Sequence, residues 1–227
     1  MFRLPSFLPG GVSNSLGIRL RQTVAAVIVA ASAGAFAQFA QPSGGTQIKD
    51  ASALKPPPGA RVAIVEFDDL ECPACAHANP ILKKASEQYR IPWIRHDFLI
   101  PAHIWSRNAA IRARWFDTQR KGLGDEYRDA VFANQNSIYN LAMLSQFTEK
   151  FARDHGIALP FAIDPLGKLE AEVQADSDLA RRMGLTLTPS IFVVMAGSKG
   201  SPYIQVQHVD TDLYPAIDQA MRQTGGR

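Results

Sequence analysis

The stretch VAIVEFDDLECPACAHANPIL, residues 62–82, contains both cysteines of this 227-residue chain. Its first part is apolar and β-branched, which predicts a strand buried on both faces over 61–67. From Pro73 onward the apolar residues recur at helical spacing. Cys72 and Cys75 therefore fall where a buried strand passes into a helix. Three kinds of site use two cysteines in this way: a zinc or haem site, a structural disulfide, and a redox-active dithiol.

The first two kinds of site find little support in the sequence. Tetrahedral zinc needs four ligands, and nothing nearby adds to Cys72, Cys75 and His77. Covalent attachment of c-type haem needs a histidine directly after the second cysteine, where Ala76 stands. A disulfide across two intervening residues closes so small a loop that it constrains the unfolded chain little. We therefore expect no metal and no cofactor other than the dithiol itself.

The redox interpretation has positive support from the placement of the two thiols. Free backbone N–H groups and the helix dipole stabilise a thiolate at the start of a helix, and a thiolate is the species that attacks disulfides. Cys72 therefore suits the nucleophile, and Cys75, one turn further, is placed to resolve a mixed disulfide. A C-x-x-C motif near a strand–helix–strand pattern is typical of thioredoxin-like redox proteins, and no other cysteine competes for pairing.

Two further positions fit the same chemistry. Glu66 interrupts the apolar strand, and a carboxylate desolvated there holds its proton more tightly. Our hypothesis is that Glu66 passes protons to and from Cys75, and the alternative is a partly solvated glutamate at a sheet edge. Thr188-Pro189 precedes the apolar run SIFVV. A proline at the first residue of a strand can carry a cis peptide bond, which would leave the Thr188 backbone free to pair with an extended substrate; a trans loop proline is the commoner case.

The remaining elements predict an α/β fold in two parts. IPWIRHDFLI (91–100) predicts a second strand, and residues 102–184 show only helical patterns. SIFVVMA and YIQVQHV then predict two strands joined by a hairpin turn, before a final amphipathic helix. The order is strand, helix, strand, helical block, strand, strand, helix. It predicts a small mixed sheet flanked by helices, with a helical insertion at about 102–184.

The N-terminal segment differs in charge from the rest of the chain. Lys and Arg total 24 against 21 Asp and Glu, but three arginines and no acidic residue precede Gln38. A basic region followed by TVAAVIVAASAGAFA predicts a signal peptide or N-terminal anchor over 1–37, and hence a location outside the cytoplasm. Pro, Gly, Ser and Gln over 38–59 predict a flexible linker before a folded domain at 60–227. Because the remaining body is neutral, we expect no nucleic-acid partner.

VEFDDLECPAC, the helix after it, the helical insertion and LTLTPSIFVV together resemble the DsbA family of thiol–disulfide oxidoreductases, over residues 60–223. The resemblance implies a thioredoxin-like fold with a helical insertion. It implies an exported enzyme that exchanges disulfides with cysteine-containing exported proteins in the periplasm and is recycled by a membrane redox partner. We expect a monomer. In the site that the resemblance implies, Cys72 is the exposed nucleophile, Cys75 the buried resolving thiol and Glu66 the buried acid. The residues implied to contact the substrate are Thr188, Pro189, Pro73 and Ala74.

The sequence departs from the best-known periplasmic oxidase, whose motif is C-P-H-C, because Ala74 stands where that motif has histidine. Three acidic residues also lie close to Cys72 in sequence, namely Asp68, Asp69 and Glu71. Nearby negative charge disfavours a thiolate, unless these side chains point into solvent. Both features predict a less oxidising protein. Two alternatives stay open, namely a disulfide reductase or isomerase of the same fold, and a non-catalytic thioredoxin-fold binding module or chaperone.

Other polar residues predict no second reactive site. His77 is expected to be solvated, and His96 and His103 have no Ser or Cys partner at the spacing of a hydrolase triad. Arg107, Arg112 and Arg114 recur at helical spacing in the insertion, with two tryptophans nearby. This pattern predicts a solvated face with stacked aromatic rings, and the alternative is a docking surface.

Overall fold

A computed structural model describes residues 48–197 and 201–225. Its elements, in chain order, are β1 (Val62–Asp68), α1 (Pro73–Tyr89), β2 (Trp93–Asp97), α2 (Ser106–Gln119), α3 (Leu123–Ala133), a 3-10 turn (Gln135–Ser137), α4 (Leu141–Asp154), α5 (Lys168–Met183), β3 (Ser190–Met195), β4 (Tyr203–Val206) and α6 (Val209–Gln223). The predicted order and the thioredoxin-like α/β architecture are confirmed. The leader predicted at 1–37 lies outside the described residues, and none of the helices within them is long and apolar enough to cross a bilayer.

The sheet has the strand order β2-β1-β3-β4. β1 runs parallel to β2, and α1 supplies the crossover that a parallel pair requires. β3 runs antiparallel to both β1 and β4. The register of the parallel pair places Glu66 beside Arg95 and Asp68 beside Asp97. Charged residues of two neighbouring strands are therefore brought together at the end of the sheet where α1 begins.

The two central strands are buried on both faces, as the apolar run of β1 predicts. One face of the sheet packs against α1 and α6, in a cluster that contains Ile64 and Leu82. The other face packs against α5, in a cluster that contains Val65, Phe192 and Met183. The last helix of the predicted insertion therefore covers the sheet, so the insertion that stands apart from the sheet is shorter than 102–184.

The remaining helices of the insertion, α2, α3 and α4, form a core of their own. Its members include Trp105, Phe116 and Tyr127, all of which are fully buried. Cys72 and Cys75 belong to the same apolar cluster. The insertion is therefore packed directly onto the start of α1, where the two thiols lie.

The segment before β1 corrects the boundary that the sequence predicts at Ala60. Leu54 is 1% exposed and lies in the cluster beneath α5, and the Lys49 N–H donates to the Met183 carbonyl at 3.0 Å. The described part of the predicted linker, residues 48–59, thus packs against the domain in spite of its Pro-rich composition. Composition alone does not reveal this packing, because a single buried leucine can anchor a segment that is otherwise rich in proline.

We predict that Leu54→Ala lowers the free energy of unfolding by about 2–4 kcal/mol, since it removes a buried leucine and leaves a cavity. Leu166→Ala is the matched control, because Leu166 is 77% exposed, and it should change stability by less than about 0.5 kcal/mol. Urea unfolding measures both. Equal effects of the two substitutions would show that residues 48–59 contribute nothing to the core.

Candidate active site

Cys72 occupies the N-cap position of α1, in extended backbone with φ −81° and ψ 120°. Pro73 follows at the first helical position, where its missing N–H costs nothing because that N–H has no partner within a helix. No side chain caps this end of α1. The free N–H groups of the first turn are therefore left to the Cys72 thiol, as the sequence predicts for a stabilised thiolate.

The two thiols differ in access. Cys72 is 8% exposed, so the predicted exposed nucleophile is in fact largely buried, whereas Cys75 is fully buried. Between them Pro73 and Ala74 are exposed. Both cysteines are free thiols in this structure. A partner molecule can approach Cys72 past the two exposed residues, and it cannot reach Cys75.

The loop before β3 lies against Cys72. The Cys72 Sγ lies 3.5 Å from the Thr188 backbone carbonyl, to which it donates when it is protonated. The Thr188–Pro189 peptide bond is cis, as its position at the start of a strand suggests. Thr188 and Pro189 are both half-buried. Residues 116 positions apart in the chain are thus brought to one place, the grouping predicted for the motif residues.

The pKa values of the two thiols move in opposite directions. The pKa of Cys72 falls to about 5, chiefly because the Cys75 thiol hydrogen-bonds to it, with help from the Thr188 side chain and the N–H groups of Cys75 and Ala74. The pKa of Cys75 rises far above its ordinary value, first because of burial and then because Cys72, Asp68 and Glu66 lie close. At neutral pH the pair therefore holds one thiolate, on Cys72, and one thiol, on Cys75.

Glu66 is a buried acid rather than a solvated glutamate at the edge of the sheet. It is 0% exposed, its Oε2 accepts a hydrogen bond from Trp93 Nε1 at 3.0 Å, and its Oε1 has no partner among the described residues. Burial and the nearby Asp68 raise the pKa of Glu66 to about 8. An unpartnered carboxyl oxygen in this position is well suited to carry a proton.

Two arginines compensate the other buried carboxylates. The Arg95 guanidinium lies 3.3 Å from Asp68 Oδ2, and Arg128 lies 2.7 Å from Asp97 Oδ1 and 3.7 Å from Asp68 Oδ1. All four side chains are at most 6% exposed. Glu66 differs from these two aspartates because it forms no ion pair among the described residues. A buried carboxyl without an ionic partner favours its neutral form, in agreement with the raised pKa of Glu66.

The sequence analysis did not identify these two arginines, although the position of Arg95 could have been predicted. Arg95 lies opposite Glu66 in the β1–β2 register, which could have been found by aligning the two predicted parallel strands. Arg95 also lies over the Trp93 ring, 4.4 Å from its centroid, and donates to Asn79 Oδ1 at 2.9 Å. Arg128 comes from α3 in the insertion, and nothing in the local sequence indicates its partners.

The acidic residues that adjoin Cys72 in sequence do not crowd its thiol. Asp69 is 1% exposed and accepts from the Glu71 and Ile100 N–H groups at 2.8 Å each. Glu71 accepts from the Trp105 and Ser106 N–H groups at the start of α2. Both carboxylates thus organise loops, and neither points into solvent. The pKa of Cys72 is lowered although these acidic residues adjoin it in sequence.

The arginines of the insertion form no solvated face. Arg114 binds Asp97 and Asp176, each at 2.6 Å, and Arg107 donates to Gln174 at 3.0 Å. Arg112 donates to Ser145, and the two nearby tryptophans are buried. The sequence shows that the arginines recur at helical spacing, but it does not show that acidic residues on α5 and β2 lie opposite them. His77 is 61% exposed, as expected, and lies near Asp210. His96 and His103 lie beside Asp176 and Asp69.

Comparison with known proteins bears on this arrangement. A family model described as thioredoxin matches residues 57–197. The chain belongs to this thioredoxin family. Its matched region contains both cysteines, Glu66 and the Thr188–Pro189 loop.

Solved structures place this thioredoxin-family chain with DsbA-like folds. Wolbachia pipientis α-DsbA1 has a TM-score of 0.60 at 19% identity, over 75% of this chain and 90% of that one. Pseudomonas aeruginosa DsbA2 has a TM-score of 0.52 at 21% identity, over 73% and 91%. A periplasmic thioredoxin-like protein from Salmonella enterica serovar Typhimurium has a TM-score of 0.57 at 19% identity, over 73% and 87%. The DsbA-like fold predicted from the motifs is confirmed.

A curated relative is much longer than this chain. The Na(+)/H(+) antiporter NhaA 3 of Salinispora tropica is 28% identical over 182 residues, which cover 78% of this chain and 27% of that protein. The chain therefore spans about a quarter of the length of the curated relative that it matches.

We predict that the low pKa of Cys72 makes the reduced protein less stable as the pH falls. The folded pKa of about 5 lies below the ordinary 9.0, so the thiolate's contribution to stability is present above the unfolded pKa and is lost as the pH falls toward the folded one. Urea unfolding should show that the reduced protein loses stability relative to Cys72→Ser over that range. Curves that stay parallel at every pH would mean that Cys72 is an ordinary thiol.

Proposed function

We propose that this thioredoxin-family protein is a thiol–disulfide oxidoreductase that exchanges disulfides with cysteine-containing proteins outside the cytoplasm. The observation that carries the proposal is the opposed behaviour of two thiols one helical turn apart. Cys72 is stabilised as a thiolate at the start of α1, and Cys75 is held as a buried thiol. A binding module or chaperone needs neither property, so the oxidoreductase is the better supported of the two classes.

In the oxidising direction the reaction begins with a disulfide between Cys72 and Cys75. A substrate thiolate attacks Cys72 Sγ, the Cys72–Cys75 bond breaks, and Cys75 leaves with the electron pair. Because the pKa of Cys75 is raised, this sulfur takes up a proton at once, and Glu66 is the buried acid placed to supply it. The product of this step is a mixed disulfide between Cys72 and the substrate.

A second substrate thiolate then attacks the substrate sulfur of the mixed disulfide. Cys72 leaves as a thiolate, which is favourable because a thiol of low pKa is a good leaving group. Two substrate thiols have become a disulfide, and the protein has accepted two electrons as the reduced dithiol. Reversal of the same steps reduces a substrate disulfide, so the residues serve both directions and the reduction potential decides between them.

The pKa of Cys72 suggests where that potential lies. Thioredoxin, with a nucleophile pKa of ~7, has a potential near ~−270 mV, and the strong oxidase DsbA, with a pKa of ~3.5, lies near ~−120 mV. A Cys72 pKa of about 5 falls between the two. We therefore propose an oxidant that is weaker than the strongest ones, as expected from the absence of a histidine at Ala74.

The surface around Cys72 suits an extended substrate segment. Pro73 and Ala74 are exposed on one side of the thiol, and the Thr188–Pro189 loop lies on the other. We propose that a substrate lies between them and pairs with the backbone of the loop, as extended peptides do with exposed strand-like segments. Leu187, which is 57% exposed, adds an apolar contact beside the loop.

The N-terminal segment and the similar proteins bear on where the protein acts and with which partners. The predicted leader over 1–37 and the likeness to a periplasmic thioredoxin-like protein support a periplasmic or membrane-anchored protein. We propose that it acts as a monomer. Because the dithiol is left reduced after each oxidation, a membrane redox partner that accepts its electrons is the natural second partner.

We predict that Cys75→Ala traps substrates on Cys72. Without Cys75 the mixed disulfide cannot be resolved from within, so expression in an exporting host should yield adducts that are released by a thiol reductant. The double variant Cys72→Ser/Cys75→Ala is the control and should yield none. If Cys72→Ser alone keeps full activity on unfolded client proteins and Cys75→Ala forms no adducts, the binding module is the better description.

We predict that Glu66→Gln removes a buried ionisation. The folded pKa of Glu66 is raised from 4.5 to about 8, so the stability that its neutral form contributes is complete below the unfolded value and is lost as the pH rises through about 8. Glu66→Gln should therefore gain stability relative to the unsubstituted protein over this range, in urea unfolding of the reduced forms.

The same variant should slow disulfide exchange by about a hundredfold, the usual cost of losing a general acid. Glu87→Gln, at an exposed position of α1, is the matched control for both measurements and should change neither. An exchange rate that is the same in Glu66→Gln as in the unsubstituted protein would exclude Glu66 from proton transfer.

A further inference from the structure

Gln135 joins the helical insertion to the turn that carries Cys72. It is the first residue of the 3-10 turn after α3 and is half-buried. Its Nε2 donates to the Leu70 carbonyl at 2.9 Å and to the Cys72 carbonyl at 3.1 Å. The bonds span 65 and 63 positions of the chain. One side-chain amide therefore holds two backbone carbonyls on either side of Glu71.

These bonds fix the peptide group that leads from Cys72 into the helix. The Cys72 carbonyl also accepts the Ala76 N–H at 3.1 Å, which is the first bond of α1. The nitrogen of the same peptide belongs to Pro73 and has no hydrogen to donate. The orientation of this peptide is thus set entirely from its carbonyl side, by one helical bond and by Gln135.

The rest of the turn is held by other groups. The Cys72 N–H donates to the Asp69 carbonyl at 2.9 Å, and the Asp69 and Glu71 carboxylates are occupied by backbone N–H groups. The ionisable side chains that act on Cys75 are Cys72, Asp68 and Glu66, whereas His103 pairs with Asp69 at 2.9 Å. Within the described residues, Gln135 is the side chain of the insertion that donates to the Cys72 backbone.

The placement of Gln135 is fixed by packing. Ile138, three residues later, is 3% exposed and lies in the same apolar cluster as Cys72 and Cys75. Val131 of α3, four residues earlier, is a fully buried member of that cluster. The amide is therefore held in place on both sides along the chain.

We propose that Gln135 is a positioning residue of the redox centre, whose amide clamps the turn before α1 and so sets the orientation of Cys72 and the readiness of its thiol to ionise. The proposal deepens the proposed function and rests on it for its catalytic meaning. Two physical effects act together. The bonds keep Cys72 directed at the free N–H groups of the first turn, and the amide hydrogens place a positive dipole end beside the sulfur-bearing residue.

Titration of Cys72 in variants at position 135 tests the clamp. Gln135→Met keeps the length of the side chain and removes the donors, and it should lower the thiolate-to-thiol ratio about threefold, an upward shift of about half a pKa unit. Gln135→Glu replaces the donors by a negative charge and should lower the ratio about tenfold or more. Asn134→Ala is the matched control, because the Asn134 amide donates to the Ala130 carbonyl within its own helix at 2.9 Å, and it should shift nothing.

The ultraviolet absorbance of the thiolate gives this titration without any substrate, so it separates the clamp from the proposed function. Should Cys75→Ala trap no adducts, the function fails while the Cys72 titration still reports on Gln135. A purely structural role predicts that Gln135→Met and Gln135→Glu lower the melting temperature and leave the titration unchanged. That outcome, or an equal shift in Asn134→Ala, overturns the proposal. Circular dichroism confirms that each variant is folded.

Discussion

The burial of β1 on both faces is the constraint on which the rest of the structure depends. An apolar strand meets this constraint at no cost, but Glu66 and Asp68 place two carboxyls in it, and an uncompensated buried charge costs several kcal/mol. The compensation has to come from neighbouring elements, because nothing on β1 itself is basic. Arg95 lies on the neighbouring parallel strand β2, and Arg128 lies on α3 of the insertion. The docking of the insertion and the electrostatics beneath the thiols are therefore a single arrangement, and neither can change without the other.

This arrangement explains why the two thiols behave so differently although they are close in sequence. Cys72 ends the turn and meets the unpaired N–H groups of the first helical turn, which favour negative charge. Cys75 lies one turn inside, above the buried carboxyls and within the apolar core of the insertion, where charge is disfavoured twice over. Glu66 forms no ion pair among the described residues, and burial favours its neutral form. The protonated carboxyl that the proposed proton transfer to Cys75 needs is therefore the form that burial itself stabilises.

The sequence predicts the parts of this site that depend on local chemistry. Three features can be recognised from sequence because each breaks a local pattern: a C-x-x-C motif at a strand-to-helix junction, an acid within an apolar strand, and a Thr-Pro pair before the next strand. The partners of charged residues cannot be recognised in this way. Asp69 and Glu71 adjoin Cys72 in sequence, yet their charge is directed at backbone N–H groups of distant loops. Adjacency in sequence therefore does not show which groups a carboxylate contacts. The boundary at Ala60 was misplaced for a similar reason, since a single buried side chain outweighs the composition of a Pro-rich segment.

The insertion is best understood as half of the redox centre, because the environment of a buried thiol is defined by everything that excludes water from it. Residues of α2, α3 and α4 supply the apolar atoms around Cys75, while Glu71 reaches back to the start of α2. A thioredoxin-type sheet with α1 alone would leave that side of Cys75 open to solvent, and an open thiol would titrate near its ordinary value. The asymmetry between the thiols, on which the proposed exchange depends, thus requires helices that begin more than thirty residues away in the chain.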